Sequence, residues 1–292
     1  MLQHTRLVFT STTGRSGTGF LAAAVNRNAL NATAEHDPMP RGYGEPRIWR
    51  DEGQDDKLRR LAQQKLARLA HGQRLAQLYR HPLVQWLWGT EAFGPWGKIG
   101  RRLFKVIPKC PVGEVYVEST HAFIKTYADA ICALHHDVHV VHIVRDPLVV
   151  ARSFCNRGSI PAADNPYLLD PDSPSNLLTA PGGLTDYQKC LWYCLESDAR
   201  HQAFVRAHPH VRVHTIQTAQ LGDPASRGAL FEALGIEFRR PLQMEVYRNA
   251  NAVASVIDAQ DEDEASTLLA RLAPEVLARS ALASALALRL WA

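Results

Sequence analysis

Seven consecutive residues, Val138-His139-Val140-Val141-His142-Ile143-Val144, form an almost unbroken β-branched and apolar run. A strand that is apolar on both faces has to be covered on both, as an interior strand of a parallel sheet flanked by helices is. The rest of the chain repeats the pattern of a short β-rich run followed by a helical one. Leu7–Ser11 precedes Gly19–Arg27, Glu114–Glu118 precedes His121–His135, the run at 138–144 precedes Leu148–Asn156, and Val211–Ile216 precedes Ser226–Leu234. This alternation predicts an α/β fold of three layers, with a mostly parallel central sheet and helices on both faces. His139 and His142 then read as packed or strand-end side chains rather than metal ligands.

Composition narrows the class. With 292 residues, 46% apolar and 21% charged, the chain is neither disordered, collagenous nor a coiled coil, and it is long enough for a sizeable core. A net charge of +4 does not imply nucleic acid. Five scattered cysteines without a C-x-x-C pair indicate neither a disulfide framework nor a zinc cluster, and fit buried thiols in a reducing compartment. A strand candidate begins at Leu7, which leaves no room before it for a signal peptide, and no apolar run approaches the roughly 20 residues of a membrane helix. The expectation is a soluble, cytoplasmic protein without a membrane span.

Two stretches depart from the alternation. From 57 to 80, Leu58, Ala62, Leu66 and Leu69, then Leu75 and Leu78, keep helical spacing. Lys57, Arg59, Arg60, Lys65, Arg68, Arg74 and Arg80 take other positions with no acidic residue among them. This reads as a basic helical insertion, about 51–108, in one domain spanning 1–292. Aromatic residues (Tyr79, Trp86, Trp88, Phe93, Trp96) gather there, as core packing of a helical cap or as a platform for an acceptor. The second stretch, about 159–183, is dense in Pro, Asp, Asn and Ser, and loops of that length are often lids or substrate walls. Cys190 and Cys194, with Trp192 and Tyr193 between them, read as the core face of a helix.

The chemistry concentrates at two strand-to-helix junctions. The first, Val8-Phe9-Thr10-Ser11-Thr12-Thr13-Gly14-Arg15-Ser16-Gly17-Thr18-Gly19-Phe20-Leu21, offers backbone N–H groups, hydroxyls and a cation at the positive end of a helix, which is an anion cradle. It is not a Walker A loop, which needs G-x-x-x-x-G-K-[ST]. At the second, Val144-Arg145-Asp146-Pro147, Asp146 and Pro147 suit a helix cap and first turn. Ser153 follows two turns on, so Arg145 and Ser153 could hold a second phosphate-like group.

Together the two junctions resemble the sulfotransferases that use 3′-phosphoadenosine 5′-phosphosulfate (PAPS). That family has an R-S-G-T or K-x-G-T-x-x-L loop around the 5′-phosphosulfate, matched here by Arg15-Ser16-Gly17-Thr18-Gly19-Phe20-Leu21. It also has an Arg followed eight residues later by a Ser around the 3′-phosphate, matched by Arg145 and Ser153. The resemblance implies a P-loop-like fold that grips PAPS at both phosphate ends, through Gly14, Arg15, Ser16, Gly17, Thr18, Gly19 and Phe20 at one and Arg145 and Ser153 at the other. Arg248, after the extended segment Pro241 to Tyr247, takes the place of the family's late basic residue. A sulfuryl group carries less charge than a phosphoryl group, so positioning and hydrogen-bond donors can support its transfer without a metal ion. No metal-ligand cluster is evident in the sequence.

The acceptor has to lose a proton, so a general base is needed. Glu35, His36 and Asp37 lie about twenty residues after Arg15, where bacterial and protein-tyrosine sulfotransferases place a catalytic Glu. This favours that cluster with Glu35 first. His121, in Glu118-Ser119-Thr120-His121, competes by its likeness to the K-T-H segment of cytosolic sulfotransferases, with Ser119 in place of the Lys and Thr120 a plausible helix cap. The predicted activity is PAPS-dependent sulfuryl transfer to a small-molecule, glycan or peptide acceptor, an acidic one suiting the basic helix, with Arg15 neutralising charge on the transferred group. The rival readings are a P-loop small-molecule kinase and a non-catalytic polyanion-binding module.

Overall fold

The computed structural model describes residues 5–38, 55–80, 114–163, 165, 168–242 and 255–291. Its centre is a five-stranded sheet of β1 (Arg6–Ser11), β2 (Ala32–His36), β3 (Val115–Ser119), β4 (Val138–Val144) and β5 (Arg212–Gln217), in the order β2-β3-β1-β4-β5 with every pair parallel. The apolar run at 138–144 is an interior strand, hydrogen-bonded to β1 on one side and β5 on the other. The fold is P-loop-like α/β, with the glycine loop leaving the middle strand. Four of the five strands match sequence-predicted runs to within one residue at either end, while β2, with only two alanines buried, lacks the apolar signal that marks the others.

Both faces are covered, as a parallel sheet requires. On one face α1 (Thr18–Asn28) packs Leu21, Ala24 and Val25 against Val8, Val117 and Val141, joined by Leu230 and Phe231 of a later helix, Pro224–Ala233. On the other face lie α2 (Asp55–Arg80) and α3 (Ala128–Leu134), with Leu58, Ala62, Leu69 and Ile131 against Leu7, Phe9, Tyr116 and Val140. The predicted helix at 121–135 is broken: a single 3₁₀ turn, Phe123–Lys125, precedes α3, and Thr120 caps only locally, its Oγ1 accepting from the N–H of Ala122 at 3.1 Å.

A third cluster joins α4 (Pro147–Cys155) and α5 (Asp186–Ala207) to C-terminal helices. α6 is Pro224–Ala233, introduced above, and α7 (Ala259–Arg271), α8 (Pro274–Leu277) and α9 (Ala281–Trp291) complete the chain. Cys190, Leu191, Trp192, Tyr193 and Cys194 are wholly buried on α5, the core face read from the sequence. Thr185 and Gln188 close a capping box at its start. Five acidic residues, Asp258, Asp261, Glu262, Asp263 and Glu264, mark the start of α7, where Asp258 caps the N–H of Asp261 and the buried Asp261 carboxylate pairs with Arg152 of α4.

The basic helix is not a uniformly solvated cationic face. Lys65 lies in its buried stripe between Ala62 and Leu69, while Leu66 is only half-buried, the reverse of the expected assignment. The cause is on the sheet. Glu35 of β2 and Glu118 of β3 are register partners, so their carboxylates stand side by side on the face that α2 covers. Lys65 Nζ donates to both oxygens of Glu118 at 2.8 and 2.9 Å. Arg68, one turn on, donates to Glu35 at 2.7 and 3.3 Å. Arg59, Arg60 and Arg74 are exposed. The aromatic residues at 86–96 lie outside the described residues, and no side chain is described for Tyr79.

The loop at 159–183 is pinned to α5 along 175–178. Glu196 of α5 accepts the N–H groups of Leu177 and Leu178 at 3.1 and 2.8 Å, Trp192 Nε1 donates to Leu178 O at 2.9 Å, and Arg200 donates to Ser175 O at 3.0 Å. Leu168, Leu169 and Leu178 of the loop are buried in the cluster that α4 and α5 share.

Candidate active site

After β1 the chain enters a helix on one face of the sheet, and after β3 it enters a helix on the other. Such a divergence between neighbouring strands opens a crevice at their C-terminal ends, where ligands of open α/β sheets bind. A cavity of about 600 Å³ lies there. The loop after β1 and the start of α1 contribute Thr13, Gly14, Arg15, Gly17, Thr18, Gly19 and Phe20. The ends of the other strands contribute His36, Asp37, His121, Arg145 and Thr218, and α4 with the following turn and loop adds Phe154, Arg157, Ser159, Asn165 and Leu168.

The glycine loop has its carbonyls tied to the scaffold. Tyr193 OH donates to Thr13 O at 3.0 Å, and the Ser16 and Thr13 hydroxyls both donate to Gly14 O at 2.9 Å. Arg145 Nη1 donates to Arg15 O at 2.6 Å, and Thr218 Oγ1 donates to Ser16 O at 2.9 Å. With four successive carbonyls engaged, the amides become the groups available to a ligand. Gly14 and Gly17 have φ of +88° and +97°, and Arg15 itself takes a left-handed φ of +57°. Gly17 is the N-cap of α1 and supplies no side-chain cap, so the first amides of that helix lack an intrahelical partner at the cavity wall.

Three arginines, Arg15, Arg145 and Arg157, line this one cavity. Burial, and after it the positive charges of Arg157 and Arg145, lowers the Arg15 pKa from its ordinary value. Arg15 Nε donates to Ser153 Oγ at 3.1 Å, so the two junctions singled out in the sequence touch each other directly. Ser153 and Ser16 are both buried and shape the site from behind its lining.

The four candidate bases separate. Glu35 is not part of the cavity lining: Arg68 holds its carboxylate, and the Tyr116 hydroxyl donates to it at 2.6 Å. Its successors turn the other way. His36 Nδ1 lies 2.9 Å from Ser119 O, a carbonyl that can only accept, so Nδ1 is the donor of that bond and fixes the ring's orientation. His36 Nε2 is 3.4 Å from the Asp37 carboxylate. Asp37 has a left-handed φ of +40°, a strained setting for a non-glycine residue. His121 also lines the cavity, with a buried Nδ1 that has no hydrogen-bond partner among the described residues. Burial first, then the charges of Lys125 and His36, pushes its pKa down to about 3, so the ring is neutral at ordinary pH.

Of the predicted nucleotide-binding residues, Gly14, Arg15, Gly17, Thr18, Gly19, Phe20 and Arg145 meet at the cavity, while Arg248 lies outside the described residues. Sequence reasoning missed Arg157, Thr218, Tyr193 and Phe154. Only the first two carried a local signal: a cation beside Gly158 just past a helix, and a hydroxyl immediately after a strand. Among the described residues no group of three or more His, Cys, Asp or Glu is arranged to hold a metal ion, and no helix is long and apolar enough to cross a membrane.

No protein-family model matches the chain, and no curated protein matches it. Among solved structures, the chain is similar to a sulfotransferase domain from the curacin biosynthetic pathway, with 14% identity over 98% of this chain and 97% of that one and a TM-score of 0.42.

Proposed function

We propose that the protein moves a sulfuryl group from PAPS to an acceptor hydroxyl or amine, leaving adenosine 3′,5′-bisphosphate. The observation that carries this reading is the glycine loop, its carbonyls bound away from a cavity that also holds Arg15, Arg145 and Arg157. Such a donor set suits a ligand with more than one anionic group. The amides of Gly17, Thr18 and Gly19 and the Arg15 guanidinium serve the phosphosulfate end, and Arg145 serves the 3′-phosphate, with Ser153 behind the lining as the partner that places Arg15 in the free site. Arg15 exchanges its bond to Ser153 for the donor, bringing positive charge to the oxygens that gain negative charge during transfer. His36 is the general base: Ser119 O orients its ring, Nε2 takes the acceptor's proton, and Asp37 stabilises the imidazolium that results. Neutral His121 serves as a hydrogen-bonding wall of the site. The exposed Arg59, Arg60 and Arg74 suit an acidic acceptor, be it a small molecule, a glycan or a peptide.

Calorimetry with adenosine 3′,5′-bisphosphate in the absence of magnesium tests the donor assignment. Binding is expected, and a preference for ATP with magnesium would replace this reading with a kinase. Transfer from radiolabelled PAPS to a panel of tyrosine peptides, glycans, phenols and lipids then tests catalysis. Absence of both transfer and donor hydrolysis in the folded protein refutes it.

A further inference from the structure

Lys125 is completely buried at the end of the 3₁₀ turn after β3, yet among the described residues no carboxylate lies within ion-pair distance of it. A buried ammonium without a counter-anion is costly and calls for an explanation. Its Nζ bonds to the Tyr193 hydroxyl and lies 4.2 Å from the centre of that ring. The same hydroxyl donates to Thr13 O, the first of the tied carbonyls in the glycine loop. A chain of direct contacts therefore runs from the ammonium through one phenol to the anion loop.

We propose that Lys125 is a positioning residue for the anionic donor, acting through Tyr193 to hold the glycine loop and to set positive charge behind it. The inference rests on the donor reading given above. Its missing counter-anion is then the ligand itself, and binding completes the charge balance of the core. Burial above all brings the Lys125 pKa down to about 7. The ionisable groups around it are Tyr193, Cys194 and Arg200 on α5, His121 beside the cavity and Asp37 after β2. Cys194 and Asp37 favour the charge, whereas Arg200 opposes it. Lys125 therefore loses its proton near neutrality in the empty site, and an anion at the loop draws that proton back.

Calorimetry of adenosine 3′,5′-bisphosphate from about pH 7 to 9, where the phosphates are fully ionised, reads this directly. The wild-type affinity is expected to fall as pH rises, by about tenfold across the window. Lys125→Met is expected to bind about tenfold more weakly at pH 7 and to show no such fall. Tyr193→Phe keeps the ammonium but cuts its link to Thr13, and is expected to weaken binding at pH 7 even if Lys125→Met does not fold. Wild-type affinity in either variant, or a wild-type fall with pH in Lys125→Met, overturns the inference. If the wild-type protein binds no adenosine 3′,5′-bisphosphate at any pH, it is the donor reading that fails.

Discussion

Arg145 acts on the glycine loop twice, as a charge at the cavity and as the donor that holds Arg15 O in a left-handed turn. Arg145→Ala is therefore expected to weaken nucleotide binding more than Arg15→Ala, and Arg145→Lys to restore little of it. The lysine keeps the charge but lacks the planar fork. Calorimetry of the three variants settles the order. Gly17 is constrained in a different way. At φ +97° a Cβ would sit 3.0 Å from Leu221 Cδ1, so Gly17→Ala is expected to cost about 1–3 kcal/mol of stability and to weaken nucleotide binding as well. Denaturant unfolding beside a binding isotherm checks both effects. At the reacting end, His36→Ala is expected to lower kcat about 10²–10⁴-fold while nucleotide affinity stays near wild type, and Glu35→Gln to leave kcat far less affected. A larger loss of kcat in the Glu35 variant would return Glu35 to the base role.

The sheet and α2 are fastened by charge as much as by apolar area. Register places Glu35 beside Glu118, and a helix with cations at i and i+3 meets both. Glu118 also accepts from Tyr127 and lies 3.3 Å from the Tyr116 hydroxyl, and after burial itself its charge holds the pKa of both phenols well above the ordinary one, joined at Tyr116 by Glu35. Burial opposes the charge on Arg68, but the Glu35 carboxylate outweighs it and raises the pKa. Lys65→Met leaves Glu118 buried without its cation and is expected to destabilise the protein by about 3–5 kcal/mol. Adding Glu118→Gln should recover a substantial part of that loss, and a double-mutant cycle measured by chemical denaturation gives the coupling. The helical periodicity of 57–80 was legible from sequence. That Lys65 lies on its buried side was not, because the partner carboxylate is 53 residues away and belongs to the sheet.

At the scale of the molecule, several histidines are buried neutral. His121 and His201 are pushed down to about 3 and His139 to about 4, in each case chiefly by burial. These folded pKa values lie below the ordinary value near 6.5 of an unfolded chain, so between the two the unfolded state binds more protons. The stability these groups contribute is full above about pH 6.5 and is lost as pH falls towards 4 and then 3. The thermal midpoint is accordingly expected to drop on acidification through that window, by about 2–4 °C for each kcal/mol lost. A midpoint that stays level from pH 6.5 to 4 would contradict it. His142 stacks on His201 at 3.7 Å and His139 on His214 at 5.2 Å, which is the packing role expected of the strand histidines.

What the sequence determined by itself is whatever neighbouring residues decide among themselves. The β-branched run at 138–144, the alternation of strand and helix, and the loop of Gly, Ser and Thr after the first strand are local patterns, and they carry the parallel sheet and the position of the anion cradle. β2 escaped that pattern because an edge strand with two buried alanines has little apolar periodicity. Tertiary structure alone decided which of three consecutive candidates meets the cavity: strand alternation, fixed by pairing with β3, turns Glu35 under α2 and His36 to the cavity wall, and Asp37, past the strand's end at a φ of +40°, leaves the alternation and reaches that wall too. It also decided that Tyr193, 180 residues from Thr13, holds the loop and brings Lys125 with it. Pairings of that kind depend on register and on the approach of distant segments, and no local spacing encodes them.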